Sequence, residues 1–379
     1  MRKIIILLIV TSFSGILFSQ TNQNVIYGEK SDVFVKEDNT TRIFYDKDGE
    51  LYADDFISDN ELYQYDSSLR KYYSSNPQKF IETSKKYVLE IESFSDDNFN
   101  LLQKLLFQEY INKINSISDE FDIYILIHGF RKPIKPKNGS TSSQQDNNFL
   151  KTSIKNQYTD KDKPKFIEIY WNGMYDCCVG KRLRTNKRIF KLYENISQKN
   201  ATVVGYSLRK IISEIDKEEL SIITHSLGAQ VGSSLLFNTY DNRIDNKYQN
   251  LKTPNQNKLN ICFIAPAMSK EPFNEYYERT TDREFKENDN YDLSILYNEQ
   301  DFVLKKKWKI FGPGPRKYGK TTLGCNHRKE TFKLKDKFLS DYKNSVITLY
   351  NTTIGGTHLV EHYSKSTNFV NYIKLINGE

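Results

Sequence analysis

Six nearly continuous apolar runs punctuate the chain from residue 121 onward. They are Phe121–Ile127, Phe166–Trp171, Leu220–Thr224, Leu259–Ala265, Leu293–Tyr297 and Val346–Tyr350. Runs without polar alternation predict strands buried on both faces, as in a parallel sheet. Helical spacing fills the intervals. Val203, Val204, Leu208, Ile211, Ile212 and Ile215 fall on one side of a helix between the second and third runs, and Thr367–Ile376 closes the chain as another. Two further helices are predicted upstream: Pro77–Glu90, and one capped by Ser95-Asp96-Asp97 that carries Leu101, Leu102, Leu105, Leu106, Tyr110 and Ile111. Before Tyr65 the pattern alternates, as in Asp32–Val35 and Arg42–Tyr45, which predicts short strands or extended packing segments.

Strands alternating with helices predict the α/β class, with a mostly parallel, doubly wound sheet flanked by helices. Residues 121–379 form the main domain in this reading, with residues 21–120 as an N-terminal strand and helix extension packed on the core. Polar stretches at Lys132–Lys163 and Lys305–Lys335 read as loops or insertions at the sheet's C-terminal edge. The chain has 379 residues, 38% of them hydrophobic and 27% charged, which fits a globular protein that buries a sizeable core.

The first twenty residues change the picture of location. Met1-Arg2-Lys3 supplies a positive start, Ile4–Phe18 an apolar stretch, and Ser19-Gln20-Thr21 a return to polar sequence. That order predicts a secretory signal and an exported, periplasmic or secreted, mature chain. An uncleaved anchor is the alternative, disfavoured by the shortness of the run. No cysteine follows it to take a lipid, and no stable membrane span is expected after its removal. Without Arg2 and Lys3 the formal charge falls from +7 to 7 − 2 = +5. Basic runs such as Lys305-Lys306-Lys307 lack interleaved aromatics, so solvated faces rather than a nucleic-acid surface are expected. Four cysteines, Cys177, Cys178, Cys262 and Cys325, allow three pairings in an oxidising compartment. Cys262 lies inside an apolar strand, so Cys325 with Cys177 or Cys178 is the first bridge to consider. Cys325-Asn326-His327 lacks further spaced ligands for zinc, and neither a metal nor a cofactor is expected.

Ligands of such sheets bind beyond the C-terminal strand ends, so what each strand delivers there matters most. The first run ends Ile127-His128-Gly129-Phe130, and its glycine permits a tight turn that presents a backbone N–H. The third delivers Ser226 within Thr224-His225-Ser226-Leu227-Gly228, a serine on a strand-to-helix turn, where Thr224 is a crowded choice beside Gly228 and Ala229. The fourth exits through Ile264-Ala265-Pro266-Ala267 with no catalyst. The fifth leads to Asn298-Glu299-Gln300-Asp301, and the last to Gly355-Gly356-Thr357-His358. Serine needs an adjacent base, and histidine needs a carboxylate to fix its tautomer. Ser226, Asp301 and His358 supply these groups at one edge. Glu299 is the alternative acid and His362 the alternative base. His128, Gly129 and His225 are expected to line the pocket, and His327 to lie on the surface.

The order of these segments resembles the α/β-hydrolase superfamily. The segments that carry the resemblance are Ile123–Phe130, Ser221–Gln230, Ser294–Asp301 and Gly355–Ile373. More narrowly, His225–Gly228, Ile261–Ala267, and Tyr297–Lys307 ahead of Tyr318–Gly324 resemble a bacterial group of serine esterase or lipase-like hydrolases of unknown function. The resemblance implies Ser226 as nucleophile, Asp301 as acid and His358 as base, with the Leu227 and Phe130 amides as oxyanion hole. Two departures stand out: Thr224 where the family has a small residue, and a spacing of 358 − 301 = 57 residues from acid to histidine. The implied activity is hydrolysis of a carboxylic ester or related acyl bond in a small-molecule ester or lipid-like substrate. An acyltransferase, or a binding protein that keeps the fold without the chemistry, are the alternatives.

Overall fold

The apolar runs become strands of a single parallel sheet in the computed structural model, which describes residues 40–53, 64–130, 142–171, 173, 197–237, 258–270, 291–305, 321–341 and 344–378. The strands are β1 (Thr40–Tyr45), β2 (Asp122–Ile127), β3 (Pro164–Trp171), β4 (Glu219–His225), β5 (Lys258–Ile264), β6 (Tyr291–Tyr297) and β7 (Val346–Asn351). Their order across the sheet is β1-β3-β2-β4-β5-β6-β7, with every neighbouring pair parallel. The class is α/β. From β2 the chain winds outward to β3, then crosses back to β4 and winds the other way. The switch point therefore lies between β2 and β4, where a parallel sheet opens a crevice beyond its C-terminal ends.

Helices cover both faces. On one side α3 (Asp96–Asn115) and α5 (Gln198–Ile212) pack with α6 (Gly228–Phe237), and α4 (Ser143–Lys155), α8 (Val360–Ser364) and α9 (Thr367–Ile376) pack together on the other. Strand alternation assigns the faces. Gly232 of α6 lies against Thr224 and Phe263. Tyr124, register partner of Ser221 on the opposite face of the pleat, donates its hydroxyl to Asn377, just past α9. Ser95 caps α3 by accepting from the Asn98 amide, and Asp96 and Asp97 suit the positive end of its dipole. The smaller helices α1 (Leu69–Ser75) and α2 (Pro77–Lys86) meet α3 in an aromatic cluster of Tyr73, Phe80 and Phe99, joined by Phe94.

The strand expected at Arg42–Tyr45 is present as β1, which pairs with β3 along its whole length. Three other sequence expectations change. The stretch Lys132–Lys163 holds a helix rather than a loop. Ser142 and Gln145 form a reciprocal capping box at the start of α4, and Leu150 and Ile154 are buried. A few well-placed apolar residues in a polar stretch suffice once a sheet is there to receive them. Similarly, α7 (Glu330–Asp341) occupies the end of Lys305–Lys335. The leader at 1–20, Asp32–Val35, and Cys177 and Cys178 lie outside the described residues. Cys325 is a buried free thiol beside the Thr321 and Thr322 carbonyls rather than half of a bridge. Burial pushes it up to about 11. Cys262 is likewise free and buried. Among the described residues, no helix is long and apolar enough to cross a membrane.

The edge strand β1 is held by a buried carboxylate. Glu168 of β3, fully buried, pairs with Arg42 of β1 at 3.0 Å and Lys151 of α4 at 2.7 Å, and accepts the Tyr170 hydroxyl at 2.8 Å. Burial and then this carboxylate push the Tyr170 phenol well above its ordinary range, so it stays a donor. Glu168→Gln leaves two cations facing a neutral amide and should destabilise the fold by about 3–5 kcal/mol. Urea denaturation of the variant against the parent checks this, and an unchanged midpoint would show that the network is dispensable.

Candidate active site

Ser226 sits where β4 ends and α6 begins, with φ +54° in the left-handed region. A non-glycine residue occupies that region only when its surroundings over-determine it. They do so here. The Ser226 amide donates to the Ile264 carbonyl at 2.9 Å, and the Ser226 carbonyl accepts from the Ala267 amide at 3.0 Å. The β5 exit, Ile264–Ala267, which carries no reactive side chain, thus grips the turn on both sides. Ala265 within it is also left-handed, at φ +45°.

Close backbone approach explains the small residues around the turn. A Cβ on Gly228 would lie 2.6 Å from the Ile127 carbonyl oxygen and 2.7 Å from that of His128. A Cβ on Gly129 would lie 2.8 Å from the Ser226 Cβ. The β2 exit and the β4 turn therefore touch at the switch point. This puts the Phe130 segment beside the serine, and the Leu227 amide follows it at the N-terminus of α6. The crowding expected of Thr224 is absorbed elsewhere. Its methyl faces Gly232, where an added Cβ would stand only 3.0 Å away.

The base and acid arrive from β7 and β6. His358 Nε2 lies 2.9 Å from Ser226 Oγ, and His358 Nδ1 lies 2.6 Å from Asp301 Oδ2. The carboxylate accepts, so Nδ1 carries the proton and leaves Nε2 free to accept the serine hydroxyl. Asp301 is fully buried. Its Oδ1 accepts the Val303 and Leu304 amides at 2.9 and 3.0 Å, and its Oδ2 also accepts the Tyr363 hydroxyl at 3.4 Å. Burial, then the nearby Asp301 charge, push the Tyr363 phenol well above its ordinary range, so it remains an O–H donor. The arrangement can move a proton from a serine hydroxyl to a neutral imidazole and stabilise the imidazolium formed.

Other predicted residues fall into different places. Glu299 is exposed and accepts from Asn326 Nδ2 at 3.3 Å, so the carboxylate that meets His358 belongs to Asp301. His362 is exposed on α8, and its backbone amide bonds to the Leu359 carbonyl. His128 is buried rather than poised for chemistry. Its Nε2 accepts from the Trp171 amide at 3.2 Å, so its Nδ1 is the protonated nitrogen that donates to Gly129 O at 2.8 Å. The Trp171 indole N–H returns a bond to His128 O at 3.0 Å, locking the β2 exit to β3. His225 is buried with its Nε2 bonded to the His358 carbonyl at 3.0 Å. His327 is partly exposed in a short 3-10 turn, and burial followed by Arg328 and Lys305 lowers it below the usual histidine range.

Asn298, Tyr363 and Gly324 are neighbours of this arrangement that sequence reasoning did not single out. The Gly324 amide donates to Pro266 O at 2.9 Å, and its carbonyl accepts the Asn298 amide at 2.9 Å, which bridges the β5 and β6 exits. Their only sequence signal is position: Asn298 lies three residues ahead of Asp301, Gly324 ends the Tyr318–Gly324 segment, and Tyr363 lies five residues past His358. Among the described residues, no three His, Cys, Asp or Glu side chains group to hold a metal. Two clefts of about 670 Å³ lie away from Ser226, one lined by Arg70, Lys104 and Lys210, the other by Asp122, Glu219 and Asn377.

No family model matches the chain, and no curated protein matches it. Among solved structures it is similar to an uncharacterized protein from Bacillus cereus ATCC 10987, at 14% identity and a TM-score of 0.33, over 85% of this chain and 89% of that one.

Thr224 and Gly232 should be coupled. Gly232→Ala should cost more in the parent than in a Thr224→Ser background, by about 0.5–3 kcal/mol in a double-mutant cycle. Additive values would mean that Gly232 has some purpose other than receiving the threonine methyl.

Proposed function

We propose that the protein is a serine hydrolase of the α/β-hydrolase fold that cleaves a carboxylic ester or related acyl bond. The observation that carries this reading is the continuous hydrogen-bonded line Ser226 Oγ–His358–Asp301, at 2.9 and 2.6 Å, beside the sheet's switch point. Ser226 Oγ attacks the acyl carbon while His358 Nε2 takes its proton, and the Asp301 carboxylate steadies the imidazolium. The carbonyl oxygen, now an anion, is received by the Leu227 and Phe130 amides. Collapse breaks the bond to the alcohol, which leaves with the proton from His358. Water then attacks the acyl-enzyme, giving its proton to His358, and the acid departs as Ser226 recovers its hydrogen.

An apolar substrate group is favoured by the surface beside the base. Phe302 and Val303, next to Asp301, and Leu359, next to His358, are exposed at 47%, 40% and 42%. Exposed apolar side chains clustered near a reactive group mark where an apolar partner lies. Arg2 and Lys3 ahead of Ile4–Phe18 support export of the mature chain.

A fluorophosphonate probe tests the chemistry directly. The folded chain should be labelled at Ser226, Ser226→Ala should not react, and Asp301→Asn should react about 10⁴-fold more slowly because the imidazole loses its tautomer. A folded protein that fails to react, or a Ser226→Ala variant labelled as fast as the parent, leaves the fold as a binding scaffold without this chemistry.

A further inference from the structure

The loop that carries the base has little stiffness of its own. Gly355–His358 follows β7 and begins with two glycines, of which Gly355 has φ +78° with no atom within 4 Å of where a Cβ would stand. Yet each of its four carbonyls is bonded from the segments that carry the acid and the serine. Asn298 Nδ2 donates to Gly355 O at 2.7 Å and to Thr357 O at 3.4 Å. The Phe302 amide reaches Gly356 O at 3.5 Å, and His225 Nε2 donates to His358 O at 3.0 Å.

Both side-chain donors are oriented by chemistry rather than chance. A carbonyl only accepts, so His225 Nε2 carries its proton. Asn298 is fully buried, its Oδ1 accepts the Gln300 amide at 3.1 Å, and its own backbone amide is held by Gly324 O. His225 directly precedes Ser226 in the chain, and its ring lies 4.9 Å from that of His358. The bond His225–His358 therefore ties the serine's own backbone to the backbone of the base. Asn298 does the same from the acid's side, three residues ahead of Asp301.

We propose that His225 and Asn298 are positioning residues that set the His358 imidazole against Ser226 by holding its loop, without touching substrate. The inference rests on the acyl-transfer reading above. A reacting geometry displaced by about 1 Å loses about a hundredfold in rate. A purely structural role would instead lower stability and leave the chemistry of the folded molecules unchanged.

The test measures fluorophosphonate inactivation of the full chain over a range of probe concentrations, separating kinact from KI, with thermal unfolding in parallel. His225→Phe keeps a ring and loses the donor, and Asn298→Leu keeps the bulk and loses the amide. Each should lower kinact by about a hundredfold with KI changed only a few-fold. His225→Gln, whose amide can donate to the same carbonyl, should recover most of the loss. The proposal is overturned if folded His225→Phe reacts at the parent kinact, if the loss lies wholly in KI, or if His225→Gln is no better than His225→Phe. Should Asn298→Leu not fold, the comparison of the two His225 variants decides alone. A parent that labels at Ser226 while His225→Phe labels equally fast overturns only this inference. A parent that does not label overturns the hydrolase reading and this one with it.

Discussion

The edge of the sheet depends on a serine held in a left-handed backbone conformation. For an L-residue that conformation costs about 1–2 kcal/mol, so it persists only where neighbours leave no alternative. Ser226 is gripped through both its amide and its carbonyl by the β5 exit. Gly228 and Gly129 admit the β2 exit against it at distances no side chain would allow. The reward for this crowding is position: the hydroxyl stands clear of the sheet, and the amides that follow it start a helix.

From that point outward the exits brace one another in series. The Ser226 turn leans on Ile264–Ala267, which bonds to Gly324, which bonds to Asn298, which bonds to the loop bearing His358. These struts are mostly main-chain hydrogen bonds between segments distant in sequence. They account physically for two segments that supply no group to the Ser226–His358–Asp301 line, Ile264–Ala267 and Thr321–Gly324. Their small residues and left-handed Ala265 serve backbone packing. The same logic explains Thr224, which departs from the small residue usual before such a turn. The space it needs is provided across the helix by Gly232.

Much of this was legible from residue order. Continuous apolar runs of about the right length located β2 to β7, because burial on both faces removes polar alternation. Ser226, Asp301 and His358 each follow one of those runs, and parallel strands deliver their exits to one edge. Helix α4 was not legible, because its buried face is short and its polar face long, and only the sheet beneath it decides between helix and loop. The roles of the histidines were not legible either. His128 and His225 both adjoin reactive segments, yet Trp171 engages one ring and the His358 carbonyl the other. Partners 43 and 133 residues away in the chain leave no local trace.

The sequence by itself determined the class of the fold, the strands, and the candidates for nucleophile, acid and base, because periodicity and residue chemistry are local properties. Only the tertiary structure decided which carboxylate, Asp301 or Glu299, meets His358, which histidine, His358 or His362, meets Ser226, and that the His225 ring bonds to the His358 carbonyl. Those choices turn on which side chains point inward and on hydrogen bonds a few tenths of an ångström long or short, and both are fixed by packing between segments far apart in the chain.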